Sequence, residues 1–165
     1  MEAIATLVAC SKSKREERTV SWQLYNSTLF QKSWAAASAI GHPYVVSAKH
    51  HLLGPTERVD DYNETLKTKT KAERDEWANV VVYQLDEHYH AVVVFGGRDY
   101  VDPLFRAFGD VRFFDPYEQT SANGQQLSVA DDITRRVYDG EPFDKAINNA
   151  VWEVSLVSPV YTTTT

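Results

Sequence analysis

Three short apolar runs in this chain each end in side chains able to bind anions or move protons. Leu7-Val8-Ala9 runs into Cys10-Ser11-Lys12-Ser13-Lys14, Val45-Val46 into Ser47-Ala48-Lys49-His50-His51, and Val92-Val93-Val94-Phe95 into Gly96-Gly97-Arg98-Asp99-Tyr100. Serine hydroxyls, backbone amides and ammonium groups at a strand end make an anion site, most naturally one for phosphate. A histidine titrates near neutrality and can act as general acid or base. A neighbouring lysine can neutralise an anion or, once desolvated, become nucleophilic. Paired glycines let a ligand approach the backbone and leave the amino end of the next helix open to it. In open α/β sheets ligands bind at the carboxyl ends of strands. The three clusters are therefore expected to feed one concave recess in which Lys14, Lys49 and Arg98 meet.

Each cluster also has a plainer reading. The first lacks the glycines and the Gly-Lys-Ser/Thr ending of a Walker loop, and has Glu16 where a cysteine phosphatase needs arginine. It can be a solvated turn, with Cys10 as a small buried apolar residue. Lys49 and His51 can be surface residues, and His50 can cap a carbonyl. The run Asp60, Asp61, Tyr62 and Glu64 could supply a nucleophile toward a sugar carbon or a general base, or it is a solvated face. His88 and His90 lack a third ligand, so no metal is assigned. Nothing in the sequence calls for a cofactor.

The elements that must position these residues are legible from apolar periodicity. Ile4 to Ala9 is a strand covered on both faces. A helix fits Trp22 to Ile40, with Ser21 as its cap and Gly41 as its stop. The second strand spans Tyr44 to Ala48, and a long connection from Lys49 to Leu66 follows it. Thr70-Lys71-Ala72-Glu73 is a capping box for the next helix, which His88-Tyr89-His90 ends. Ala91 to Phe95 is the third strand, and a short helix covers Val101 to Phe108 with Pro103 in its first turn. Val111 to Phe114 is the fourth strand, and Asp115 to Leu127 reads as a loop before a helix beginning at Ser128. Phe143 to Val157 reads as a closing helix, with an extended Val154 to Val160 as the alternative. This order predicts a small α/β, Rossmann-like three-layer sandwich with a mostly parallel sheet of about four strands. Residues 1–160 form a single domain with a helical extension over 141–157, and 161–165 are a frayed tail.

A chain of 165 residues suits one such domain. Its formal net charge of −6 argues against an extensive duplex-binding surface, which needs a broad basic face. A locally basic pocket remains compatible with it. Cys10 is the only cysteine, so no internal disulfide is possible and a reducing, cytoplasmic compartment is the simplest expectation. No basic start precedes an apolar run, and no stretch approaches membrane-spanning length. The oligomeric state has no signature in the sequence.

At the three corners the chain resembles an uncharacterised prokaryotic and viral domain family. That family carries Cys-Ser-Lys-Ser-Lys, then Leu-Tyr-x-Ser-x-Leu-Phe, then Ser-Ala-Lys-His-Gly-Leu-Leu and a Pro-Tyr-Asp segment. The matching stretches are Cys10 to Lys14, Leu24 to Phe30 (with Tyr25 and Ser27), and Ser47 to Leu53. Tyr62, Thr65 and Leu66 fit the next segment, and Gly124, Gln126 and Leu127 a late Gly-x-Gln-Leu element. The resemblance runs over about 5–135. His51 stands where glycine is usual, Asp61 where proline is, and Asn63 where aspartate is. The first weighs against a left-handed turn at that position. More distantly, the arrangement is similar to the bacterial peroxide-stress, DNA-protecting family and to a domain of archaeosine synthase. Both associations imply nucleic acid, the second 7-deazaguanine modification.

Three functions follow as expectations. The first is an enzyme acting on a nucleotide, nucleoside or nucleic-acid base, by base modification or by exchange or hydrolysis at a glycosidic bond. In it Cys10, Ser11, Lys12, Ser13 and Lys14 hold phosphate, Lys49 neutralises developing charge and His50 shuttles a proton. Tyr25 and Tyr62 stack on or hydrogen-bond the base and Arg98 clamps the far side, with Ser27, Ser47, Gly96, Gly97 and Tyr100 lining the pocket and Asp61 as the candidate carboxylate. The second is a non-catalytic module that binds a nucleotide or a flipped or single-stranded base. The third is a thiol enzyme with Cys10 as nucleophile and His50 as its base.

Overall fold

A computed structural model describes residues 3–10, 19–20, 27–59, 64–85 and 89–157. Strands β1 (Ile4–Ala9), β3 (His42–Ser47), β6 (Ala91–Phe95) and β7 (Arg112–Phe114) are parallel, and β4 (His51–Leu53) adds to β3 antiparallel. The sheet order is β4-β3-β1-β6-β7. Two residues each from β2 (Thr19–Val20) and β5 (Arg58–Val59) pair as a separate ribbon. The fold is thus the expected α/β sandwich, with five strands rather than four. The fifth, β4, lies in what reads from sequence as a long loop, because three residues are too few to show alternation.

Helices cover both faces. On one side α1 (Thr28–Ile40), α4 (Asn123–Tyr138) and α5 (Phe143–Val157) bury Phe30, Ala37, Ile133 and Ile147 against Val8, Val45, Val93 and Phe95. On the other, α2 (Lys71–Gln84), α3 (Arg98–Phe108) and the 3-10 turn Leu66–Thr68 pack Trp77, Val81, Leu104 and Leu66 on Leu7, Val46, Val92 and Val94. Successive residues of β1 and β6 alternate between these two cores, which is why neither strand shows a polar period. No helix among the described residues is long and apolar enough to cross a membrane.

Local signals set most helix starts. The Thr70 capping box is made: the Glu73 amide donates to Thr70 Oγ1 at 3.2 Å, and the Thr70 amide to Glu73 Oε1 at 2.9 Å. Elsewhere the boundaries differ from expectation. The first helix begins at Thr28, with Ser27 accepting the Phe30 amide at 3.1 Å, so Ser27 is its cap; Ser21 and residues 22–26 lie outside the described residues. The second helix ends at Gln84, before the histidines; His88 also lies outside the described residues. Helix α3 starts at Arg98, three residues earlier than expected, because Gly97 is its cap. Pro103 is then inside the helix and cannot donate to the Asp99 carbonyl. Helix α4 starts at Asn123 rather than Ser128. No side chain of its cap residue, Ala122, can serve, and Gln125 Oε1 accepts the Ser121 amide at 2.7 Å instead, a signal invisible to a search for Ser, Thr, Asp or Asn.

Candidate active site at the strand-order reversal

The chain leaves β1 for β3 on one side and returns to β6 on the other, so the order reverses between β1 and β6. The connecting helices pack on opposite faces and part there, leaving a crevice beyond the strand ends. Its volume is about 270 Å3. Ala9 and Cys10 at the end of β1, Gly96 and Gly97 just after β6, Ser27 at the cap of α1 and Ser33 within it, and Asp99 and Tyr100 from α3 line it. Tyr117, Gln126 and Lys67 close the remaining sides.

Packing holds its polar groups in place. The Cys10 thiol and the Tyr100 hydroxyl are 2.9 Å apart, and the Tyr100 ring meets Trp77 edge-on at 5.5 Å. Ser33, buried, shares a short hydrogen bond with the Tyr117 hydroxyl, and the Tyr117 ring meets Phe95 edge-on at 5.6 Å. Burial pushes the Tyr117 phenol well above its usual pKa, so it stays protonated and can donate. A Cβ on Gly96 would meet the Ala9 Cβ at 2.8 Å. Glycine there lets β1 and β6 come together under the crevice floor. Gly97 makes no side-chain cap to α3, and its carbonyl accepts the Tyr100 and Val101 amides at 3.1 and 2.9 Å, so the amino end of the helix, with its partial positive charge, lies at the crevice edge.

The structure sorts the expected site residues. Cys10, Ser27, Gly96, Gly97 and Tyr100 come together around the crevice. Ser47, Lys49 and His50 do not line it. The buried Ser47 hydroxyl instead accepts the Lys49 and His50 amides at 3.2 and 3.1 Å, and its carbonyl accepts the Trp77 indole N–H at 2.9 Å. Burial, and then the Lys49 charge, hold the His50 imidazole below its ordinary pKa. His51 adopts φ 60°, so the left-handed turn is kept despite the histidine, and it redirects the chain into β4. Arg98 lies outside the crevice, paired with Asp102 and, by a short contact, with Asp115. Ser11, Lys12, Ser13, Lys14, Tyr25, Asp61 and Tyr62 lie outside the described residues. Among the described residues the cations expected to share one recess are therefore divided. Lys49 is on the β3 corner, and Arg98 lines a neighbouring groove with Lys67, Lys69, Lys71, Arg74 and Arg106.

Several crevice residues escape a sequence reading. Ser33 sits mid-helix and Tyr117 in a loop without a motif; neither type nor spacing marks them. Lys67 and Asp99 were visible as charges, but only the fold brings them to one rim. Another groove, between α4 and α5, is lined by Asp131, Asp132, Arg135 and Glu153; ion pairs of Asp132 with Arg135 and Arg136, and of Arg136 with Glu153, give it a structural explanation. Among the described residues no three His, Cys, Asp or Glu side chains gather as metal ligands do.

A family model described as a family of unknown function (DUF6884) matches residues 5–132. The match takes in every strand of the sheet but for Ile4, and ends within α4. No curated protein and no solved structure matches the chain significantly.

Proposed function

We propose that this chain, which belongs to the DUF6884 family of unknown function, binds a nucleoside, nucleotide or nucleic-acid base in the β1/β6 crevice and acts on it. The reaction class is modification of the base, a 7-deazaguanine or an ordinary one, or exchange or hydrolysis at the glycosidic bond. The chemistry of the crevice wall carries this reading. Phe30, Phe95, Tyr100 and Tyr117 offer flat apolar surface, which suits a planar heterocycle. The Ser33, Tyr100 and Tyr117 hydroxyls and the Gln126 amide combine donors with acceptors, as the mixed edge of a base requires. Lys67 and the amino end of α3 suit the anionic part of such a ligand. Asp99, at the rim, is the carboxylate placed to take a proton or attack a sugar carbon, the role for which Asp61 was the candidate in sequence.

The test is a thermal-shift screen of nucleosides, nucleotides and deazaguanine bases, followed by product analysis of every binder. Stabilisation is expected for at least one ligand, lost in Tyr117→Phe. Asp99→Asn is expected to bind that ligand and leave it unconverted. A screen in which no base, nucleoside or nucleotide shifts the transition removes the reading. Binding without conversion by the unmodified protein reduces it to a binding module. Lys49→Ala and His50→Ala decide whether the β3 corner takes part: unchanged turnover in both excludes the roles expected for them.

A second reading makes Cys10 a nucleophile. It is favoured by the 2.9 Å contact between Cys10 and Tyr100 at the crevice, which replaces the expected partnership with His50. Alkylation well below the ordinary thiol pKa, protected by bound ligand, would support it.

A further inference from the structure

We infer that the groove beside the crevice binds a phosphate chain, so that the ligand of the crevice carries two or more phosphates; this rests on the nucleotide reading above. The groove encloses about 420 Å3, and Lys67 and Asp99 line both it and the crevice. The two spaces therefore adjoin, and one ligand can occupy both. Six cations line the groove, Lys67, Lys69, Lys71, Arg74, Arg98 and Arg106, against the carboxylates Asp99 and Asp102. In a chain of net charge −6 this is a local concentration against the overall trend.

Two of the six have no carboxylate partner among the described residues. Lys67 makes no ion pair with a described residue. Arg74 donates its Nε–H to the Leu66 carbonyl at 2.8 Å and an Nη2–H to the Lys67 carbonyl at 3.0 Å. Carbonyls orient the guanidinium without cancelling its charge, which prepares it for an anion. Arg98 is engaged by Asp102 and, by a short contact, by Asp115; the other pairs are loose or shared. Lys69 lies 3.5 Å from Glu64, while Lys71 and Arg106 divide one carboxylate, Asp75. Exposed pairs of this kind contribute little, so an incoming phosphate displaces them at small cost. Arg98 and Arg106 are about 12 Å apart along the α3 axis, a longer reach than a single phosphate needs. The shared chemistry is a chain of phosphates leaving a nucleoside. Its source is either the tail of a nucleoside triphosphate or the backbone of a short single strand.

Titration of the full chain with a nucleoside, its monophosphate, its triphosphate, a short single-stranded oligonucleotide and inorganic tripolyphosphate tests this. Affinity is expected to rise about tenfold or more from the monophosphate to the triphosphate or the oligonucleotide, and to fall back as salt is added. Tripolyphosphate competes for that gain. Lys69→Ala and Lys71→Ala each remove about three- to tenfold of it while leaving nucleoside affinity unchanged. A gain for the triphosphate alone assigns the groove to free nucleotides, and a gain for the oligonucleotide alone assigns it to a strand. If neither binds tighter than the monophosphate and tripolyphosphate does not compete, the groove assignment is overturned and the crevice reading stands. Tripolyphosphate binding that needs Lys69 and Lys71, with no nucleoside bound at all, keeps the groove and removes the crevice reading.

Discussion

At the end of β1, the Cys10 thiol meets the Tyr100 hydroxyl across an open crevice; at the end of β3, the Ser47 hydroxyl turns back on the amides of its own chain. Both corners begin as a parallel strand running into polar residues. They differ in what lies beside them. The β1 corner borders β6 at the reversal of strand order, where helices diverge. The β3 corner is covered by β4, which His51 starts with a left-handed turn. Closing the corner directs its hydrogen-bonding capacity inward, and Trp77 takes up the Ser47 carbonyl. Polar residues at a strand end are thus available to a ligand only where the topology leaves a gap.

Substitutions at the two corners should separate these roles, and the largest effect is expected at Gly96. Gly96→Val forces a side chain onto Ala9 and should cost about 2–3 kcal/mol in chemical denaturation, together with all ligand binding. Tyr117→Phe leaves the buried Ser33 hydroxyl without its partner, a loss of about 1–2 kcal/mol accompanied by loss of the stabilisation that ligand confers. Ser47→Ala should cost a similar or smaller amount, about 1 kcal/mol, with no effect on ligand affinity. A Ser47→Ala variant that loses binding would erase the distinction between the corners. His51→Gly relieves the left-handed histidine and should change stability by less than about 1 kcal/mol, in the stabilising direction.

The β3 corner also predicts a pH dependence. Burial lowers the pKa of both His50 and His51, and Lys49 adds to the effect on His50. The unfolded chain therefore binds protons at a higher pH than the folded one. The histidines' contribution is full above the ordinary value of 6.5 and declines as the pH falls through it toward the folded pKa. In His50→Gln/His51→Asn, where asparagine tolerates the left-handed turn, that decline should vanish. Denaturation midpoints of the two proteins should diverge between about pH 7.5 and pH 5.5; parallel curves would show that the histidines are as solvated as in the unfolded chain.

Much of this architecture was readable from residue order alone. Ile4–Ala9 and Ala91–Phe95 are strands because unbroken β-branched and aliphatic runs of that length, bounded by polar residues, have few alternatives. The Thr70–Glu73 box starts α2 because both partners of its reciprocal bonds lie within one turn. Local hydrogen bonding and burial on two faces settle such features without reference to the rest of the chain. Tertiary structure alone decided which polar corner opens onto a crevice. Ser33 and Tyr117 are 84 residues apart, and Cys10 and Tyr100 are 90 apart. Their meeting depends on strand order and on where helices diverge, and these are properties of how elements pack. Residue type sets what each group can do; the positions of the other elements set whether it faces a ligand or its own backbone.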